Sequence, residues 1–274
     1  MASAFPTISS DIDPLAAHLI ALREAGRRAL IPYLTAGYPS PDRTAGLLDV
    51  LADSGADVIE LGVPFSDPVA DGPTIQRSSQ RALEHGVNLR WTLDALRSFR
   101  ERRDDVPVVL FSYLNPVIGY GVDRFIADAT DAGAAGVLLT DLPAGADDSL
   151  EQRFQGAPFS FIRLVAPTTP AARLDEIART AQGFLYYVGR MGVTGARQAL
   201  RSETLSEVAA LRARVQVPVA VGFGVSTPEQ AAEIARVADG VIIGSALIDA
   251  LDREGDSGIA ALMRRLREAI DDVG

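Results

Sequence analysis

A chain of 274 residues with 47% hydrophobic and 23% charged residues can bury a substantial core, as one large domain or two small ones. Its net charge of −10 with no basic run argues against a nucleic-acid partner, and no apolar run approaches the roughly 18 residues needed to span a membrane. Without cysteine, disulfides and thiolate chemistry are excluded, and a reducing cytoplasm is the natural compartment.

Residues 1–12 read as a flexible tail of mostly small and polar side chains, without the basic-then-apolar pattern of a leader. A helical segment, Asp13 to Arg27, comes before the first strand. Short apolar, β-branched runs then recur: Ala29 to Ala36, Val58 to Val63, Pro107 to Leu114, Gly136 to Asp141, Phe159 to Ala166, Phe184 to Gly189, Pro218 to Gly224 and Gly240 to Gly244. Amphipathic helical patterns lie between them, such as Thr44 to Ala52, Val122 to Ala129, Ala172 to Arg179 and Thr204 to Leu211. Near-continuous apolar strands imply a parallel sheet buried on both faces. Eight strand–helix units in about 250 residues match a closed (β/α)₈ barrel.

The phrases Ser54-Gly-Ala-Asp-Val-Ile, Ala132-Gly-Ala-Ala-Gly-Val-Leu and Val237-Ala-Asp-Gly-Val-Ile repeat a helix end, a glycine stop and a strand start. No composition break marks a second domain. The expectation is one barrel over residues 13–274, with the extra N-terminal helix covering its bottom; a doubly wound open sheet would also tolerate that helix.

The most informative stretch is Glu60-Leu-Gly-Val-Pro-Phe-Ser-Asp-Pro-Val-Ala-Asp71-Gly-Pro-Thr74. Glu60 interrupts a buried strand, where an unpaired polar group costs about 2 to 7 kcal/mol. Such a residue is paired, protonated or used. A buried acid followed by a loop bearing Asp71 suits general acid/base catalysis; a surface-facing Glu and a turn-capping Asp are the plainer reading. In a barrel the chemistry sits at the carboxyl ends of the strands, near Glu60, Tyr113, Asp141 and Tyr186. Each of these also has a structural reading, the tyrosines as packing residues and Asp141 as a cap for the turn at Leu142-Pro143.

All 26 basic residues are arginine, which removes Schiff-base and P-loop lysine chemistry. The two histidines, His18 and His85, lie in helix-like segments and read as surface residues rather than metal ligands. Three glycine-bearing turns follow the last strands: Gly189 to Gly195, Gly222-Phe-Gly224 and Gly244-Ser245. Backbone N–H groups there, with helix N-termini, suit a phosphate without any lysine; ordinary turn glycine is the alternative.

The segment Glu60 to Gln76 resembles the signature of the tryptophan synthase alpha chain family. Supporting matches follow in the family's order at Arg190-Met-Gly-Val-Thr-Gly195, Gly222-Phe-Gly-Val-Ser226 and Gly244-Ser-Ala246. The resemblance runs from about Leu19 to Ile270 and implies cleavage of indole-3-glycerol phosphate to indole and glyceraldehyde 3-phosphate. It implies Glu60 as the acid/base that protonates indole C3 and takes the glycerol hydroxyl proton, and Asp71 as acceptor of the indole N–H. It further implies Tyr186 near the catalytic carboxylate, and Gly195, Gly224, Gly244 and Ser245 around the phosphate. Tyr33, Phe111, Leu138 and Phe223 would line the indole pocket, and a loop with Arg190 and Thr194 would close over substrate.

The partner implied is a pyridoxal-phosphate beta chain in an alpha2-beta2 heterotetramer, with Pro64, Asp67 and Asn115 near the interface. No cofactor or metal is implied for this chain. Departures from the family's common pattern are Gly37-Tyr38-Pro39 in place of Gly-Asp-Pro, Tyr33 in place of Phe, and Gly189 in place of Ser. A metal-dependent epimerase would need more histidine, and an indole-glycerol phosphate-forming cyclase would need a lysine. A non-catalytic scaffold would not need both Glu60 and Asp71.

Overall fold

The computed structural model describes residues 13–189, 202–222 and 224–273. The tail at 1–12 and the site candidates Arg190, Thr194, Gly195 and Phe223 therefore lie outside the described residues. Eight parallel strands form a closed barrel in sequence order: β1 (Ala29–Thr35), β2 (Ile59–Gly62), β3 (Val108–Ser112), β4 (Gly136–Leu139), β5 (Ser160–Val165), β6 (Leu185–Tyr187), β7 (Val219–Val221) and β8 (Gly240–Ile243). Closure comes from pairing of β1 with β8, Ala29 opposite Gly240. This is the expected (β/α)₈ barrel.

The helices are α1 (Pro14–Glu24), α2 (Thr44–Asp53), α3 (Pro73–Glu84), α4 (Leu89–Arg102), α5 (Leu114–Tyr120) and α6 (Val122–Asp131). They continue with α7 (Asp148–Gln155), α8 (Ala171–Thr180), α9 (Ser202–Arg214), α10 (Pro228–Ala235) and α11 (Ser245–Asp271), the last kinked at Gly255 with φ 65°. Among the described residues no helix is long and apolar enough to cross a membrane. The expected third strand ran to Leu114, but β3 stops at Ser112 and Leu114 opens α5. The apolar run continues through that junction because both elements face the core, so hydropathy alone does not mark it.

Two apolar layers hold the fold. One lies between strands and outer helices, with Leu47, Leu96, Phe125 and Met263 fully buried. The other fills the barrel with Ile31, Val58, Val109, Leu138, Phe184 and Ile242. Leu15 and Leu19 of α1 belong to this inner layer, so α1 plugs the bottom as expected. Asp13 fixes the plug. It caps α1 by accepting from the Ala16 N–H at 2.9 Å, and it also accepts from Ser160 Oγ at 2.6 Å and the Gly183 N–H at 2.8 Å.

The repeated helix–glycine–strand phrases explain two buried acids at the barrel bottom. Asp57 accepts from the Leu30 N–H at 2.9 Å and from Arg267 at 2.7 Å. Asp239 accepts from the Val219 N–H at 3.0 Å and from Arg212 at 2.9 Å. Each carboxylate binds the preceding strand of the barrel and an arginine from outside it, which is how a buried charge is tolerated. His85 is exposed, as expected. His18 is not a free surface residue: it is half-buried with Nε2 3.0 Å from the Asp57 carbonyl oxygen, because α1 lies across that strand start.

Candidate active site

Parallel register sets Glu60 beside Tyr33 on one side and Val109 on the other. Paired residues point to the same face, and Val109 belongs to the barrel interior, so Glu60 points inward. Its exposure is 0%, and among the described residues neither carboxylate oxygen has a hydrogen-bond partner. Burial pushes the Glu60 carboxyl up to about 8. At neutral pH it therefore holds its proton and can donate it. The surface-facing reading of Glu60 is ruled out.

Asp71 is carried on the loop between β2 and α3. The loop is braced by its own turns, Val69 N–H to Asp67 carbonyl at 2.9 Å and Asp71 N–H to Pro68 carbonyl at 3.0 Å. The Gln76 side chain donates to the Asp71 carbonyl at 2.8 Å. Tyr113, between β3 and α5, clasps the loop: its hydroxyl accepts from the Ala70 N–H at 2.9 Å and its ring lies 5.1 Å from Phe65. Burial pushes the Asp71 carboxyl up to about 6, with the Tyr113 hydroxyl acting in the opposite direction. Tyr113 thus does more than pack, and its place at a strand end was the signal for it.

Three aromatic rings border the interior. Tyr33 and Phe111 meet edge to face at 5.4 Å, and Phe111 lies 6.5 Å from Tyr186. Burial raises both tyrosine hydroxyls well out of their ordinary range. At Tyr33 the charge of Asp71 adds to it, and at Tyr186 those of Glu60 and then Asp71 do. The two carboxyls are therefore near enough to both phenols for their charges to act on them. Leu138 is fully buried in the barrel interior, in register beside Phe111. Tyr186 donates to the Gly222 carbonyl at 3.4 Å, and a Cβ on Gly222 would lie 2.2 Å from its oxygen. The strand-end glycine makes room for the ring.

Across the mouth, Gly224 has φ 63° and is exposed, and Gly244 caps α11 ahead of exposed Ser245. The two helix starts differ. α10 is closed by a capping box between Thr227 and Gln230, while α11 has no side-chain cap, which leaves its first N–H groups suited to an anion. A Cβ on Gly244 would lie 3.4 Å from both Tyr33 Cβ and Ile75 Cδ1, so this rim borders the aromatic space. Ile75, at the start of α3, is a site residue that its apolar type alone did not single out.

Asp67 and Asn115 are exposed, near the exposed apolar Val69 (85%) of the same loop and Ile118 (55%) of α5. Pro64 is instead buried, so it shapes the loop and offers little surface of its own. Asp141 does not cap its own turn. It accepts from the Leu114 N–H at 2.7 Å and so caps α5, the helix that carries Asn115. Among the described residues no cluster of three or more His, Asp or Glu is arranged to hold a metal ion.

Fold and site together define a (β/α)₈-barrel protein with a buried, proton-holding acid and a carboxylate-bearing loop at the carboxyl-end mouth. The family model described as tryptophan synthase alpha chain matches residues 19–271. The tryptophan synthase alpha chains of Laribacter hongkongensis and Geobacter sulfurreducens are each 47% identical, over 92% and 91% of this chain and 97% and 96% of theirs. The solved tryptophan synthase alpha chain of Legionella pneumophila superposes with a TM-score of 0.88 at 38% identity, covering 96% of this chain and 99% of that one. A chain of M. tuberculosis tryptophan synthase, in an aminoacrylate- and BRD0059-bound form, gives a TM-score of 0.85 at 36% identity over 95% and 99%.

The chain belongs to the tryptophan synthase alpha chain family. It is a carbon–carbon lyase of tryptophan biosynthesis that cleaves indole-3-glycerol phosphate to indole and glyceraldehyde 3-phosphate.

Proposed function

We propose that Glu60 and Asp71 carry this cleavage. The observation behind it is the buried, unpartnered Glu60 carboxyl facing a space bordered by Tyr33, Phe111 and Tyr186. Protonated Glu60 gives its proton to indole C3, and Asp71 accepts the indole N–H and stabilises the positive charge that spreads to nitrogen. The C3-protonated ring is then the electron sink. The glycerol hydroxyl next to the ring returns a proton to Glu60 as the carbon–carbon bond breaks, its electron pair restoring the aromatic indole and leaving an aldehyde. Glu60 ends as it began. A chain without lysine has no Schiff-base route, so the ring itself supplies the sink.

Tyr186 sets the Glu60 side of the site, and Tyr33, Phe111, Leu138 and Phe223 hold the indole. Gly195, Gly224, Gly244 and Ser245 bind phosphate through backbone N–H groups, helped by the uncapped start of α11. A loop with Arg190 and Thr194 closes over substrate together with the Asp71 loop. Residues 13–274 act as one catalytic domain.

A beta chain carrying the pyridoxal phosphate docks near Asp67 and Asn115 in an alpha2-beta2 heterotetramer and receives the indole; this chain needs no cofactor of its own. The exposed Val69 and Ile118 supply apolar surface for that contact. The lack of cysteine supports a cytoplasmic location. The experiment is steady-state cleavage by Glu60→Gln. We expect a folded, ligand-binding protein slowed by roughly 10² to 10⁴ or more. A near-normal rate would make Glu60 structural.

A further inference from the structure

The helix that carries the Asp71 loop is bolted to the helix that starts at the phosphate rim. Asp249 and Asp252 lie one to two turns into α11, on the face toward α3. Thr74 Oγ1 donates to Asp249 at 3.3 Å, and Arg77 donates to Asp249 at 3.3 Å and to Asp252 at 2.9 Å. The second oxygen of Asp252 accepts from the Tyr38 hydroxyl, on the loop after β1. One carboxylate thus joins three elements around the mouth. Tyr38 is 6% exposed, so the loop after β1 offers Asp252 a buried hydroxyl donor.

The geometry points to Arg77, with Asp249, Asp252 and Tyr38, as positioning residues that link phosphate binding at the start of α11 to placement of the Asp71 loop. The physical chain is short. A phosphate held by the first N–H groups of α11 fixes that helix end; α11 holds α3 through Arg77 and Thr74. The Gln76 amide of α3 holds the Asp71 carbonyl at 2.8 Å, and Ile75 packs beside Gly244. Arg77 and Asp249 are about half exposed, so a single pair stabilises little, and the effect rests on several bonds acting together. None of these four side chains has a proton-transfer role in the proposed cleavage.

This inference rests on the proposed roles of Asp71 and the α11 terminus, and the test separates them. Arg77→Ala, Arg77→Lys and wild type are compared for cleavage, for glycerol 3-phosphate affinity, and for amide hydrogen exchange over residues 64–73 with and without glycerol 3-phosphate. Arg77→Ala should lower kcat about fivefold while its glycerol 3-phosphate affinity changes less than about twofold. Ligand-induced protection of the 64–73 segment, present in wild type, should disappear in Arg77→Ala. Arg77→Lys should recover most of the rate, because both aspartates accept from one nitrogen of Arg77 and an ammonium keeps the charge with three N–H donors. Wild-type kcat in Arg77→Ala, or protection retained despite a lower kcat, overturns the linkage. An Asp71→Asn control locates any failure: full activity there sinks the catalytic reading itself, whereas a dead control beside a normal Arg77→Ala sinks only this inference.

Discussion

The Tyr33 hydroxyl occupies the space a side chain on Gly62 would need: a Cβ at Gly62 would lie 2.1 Å from that oxygen. Tyr33 is 5% exposed and held edge-on by Phe111, so the ring has little room to retreat except into the aromatic space above Glu60. Gly62→Ala should therefore lower the melting temperature through overpacking of about 1–3 kcal/mol. It should also raise the KM for indole-3-glycerol phosphate several-fold by pushing the ring into the pocket. Calorimetry and initial rates check both; an unchanged KM would mean that Tyr33 does not border the substrate.

Glu60 links stability to pH. Its folded value, about 8, lies above the ordinary 4.5, so the folded state binds the proton more tightly than the unfolded one. Stability from this group is fully present below about pH 4.5 and is lost as pH rises toward about 8, by up to about 1.4 kcal/mol per pH unit. Glu60→Gln removes the titration. Relative to wild type, the variant should gain stability steadily across that window, while below it the difference between the two stays constant. Urea unfolding at a series of pH values measures the slope, and parallel curves would place the Glu60 carboxyl outside a desolvated site.

The proposed mechanism needs Glu60 protonated and Asp71 ionised. The profile of kcat/KM should then be bell-shaped, falling below about pH 6 as Asp71 gains a proton and above about pH 8 as Glu60 loses one. A substrate phosphate also titrates near pH 6, so the acid limb needs its own assignment. Tyr113→Phe supplies it. The Tyr113 hydroxyl holds the Asp71 value down, so its removal should shift the acid limb to higher pH, whereas a limb set by substrate phosphate would stay in place.

The exposed loop surface bears on coupling. On the proposed coupling, the Asp71 loop of the free subunit spends time open, and a docked beta chain favours the closed, competent form. A competent fraction rising from about 1% to nearly all would give roughly a hundredfold activation. Asp67 is exposed and, among the described residues, is held by the neighbouring Ser66 hydroxyl at 2.6 Å. Asp67→Ala should blunt the activation seen on titration with beta chain and leave the slow free activity nearly unchanged. Equal loss in both states would assign Asp67 to the chemistry or the fold.

Much of this protein is legible in one dimension. Alternating apolar runs and amphipathic helices in eight units point to a (β/α)₈ barrel over an open doubly wound sheet, because eight strand–helix units in about 250 residues match the size of the closed ring. An acid within Val58 to Val63 marked Glu60, since the cost of burying it needs a reason. What a single sequence does not carry is which distant residues meet. Only ring closure brings Tyr33, Phe111 and Tyr186 around Glu60, clasps the Asp71 loop with Tyr113, and hands Asp141 to the neighbouring helix α5. Likewise, nothing local to Arg77 or Tyr38 signals Asp252, which lies 175 and 214 residues away. Local periodicity sets the elements because their hydrogen bonds are short-range, whereas contacts across the barrel mouth depend on strand order and register, which exist only once the sheet has closed.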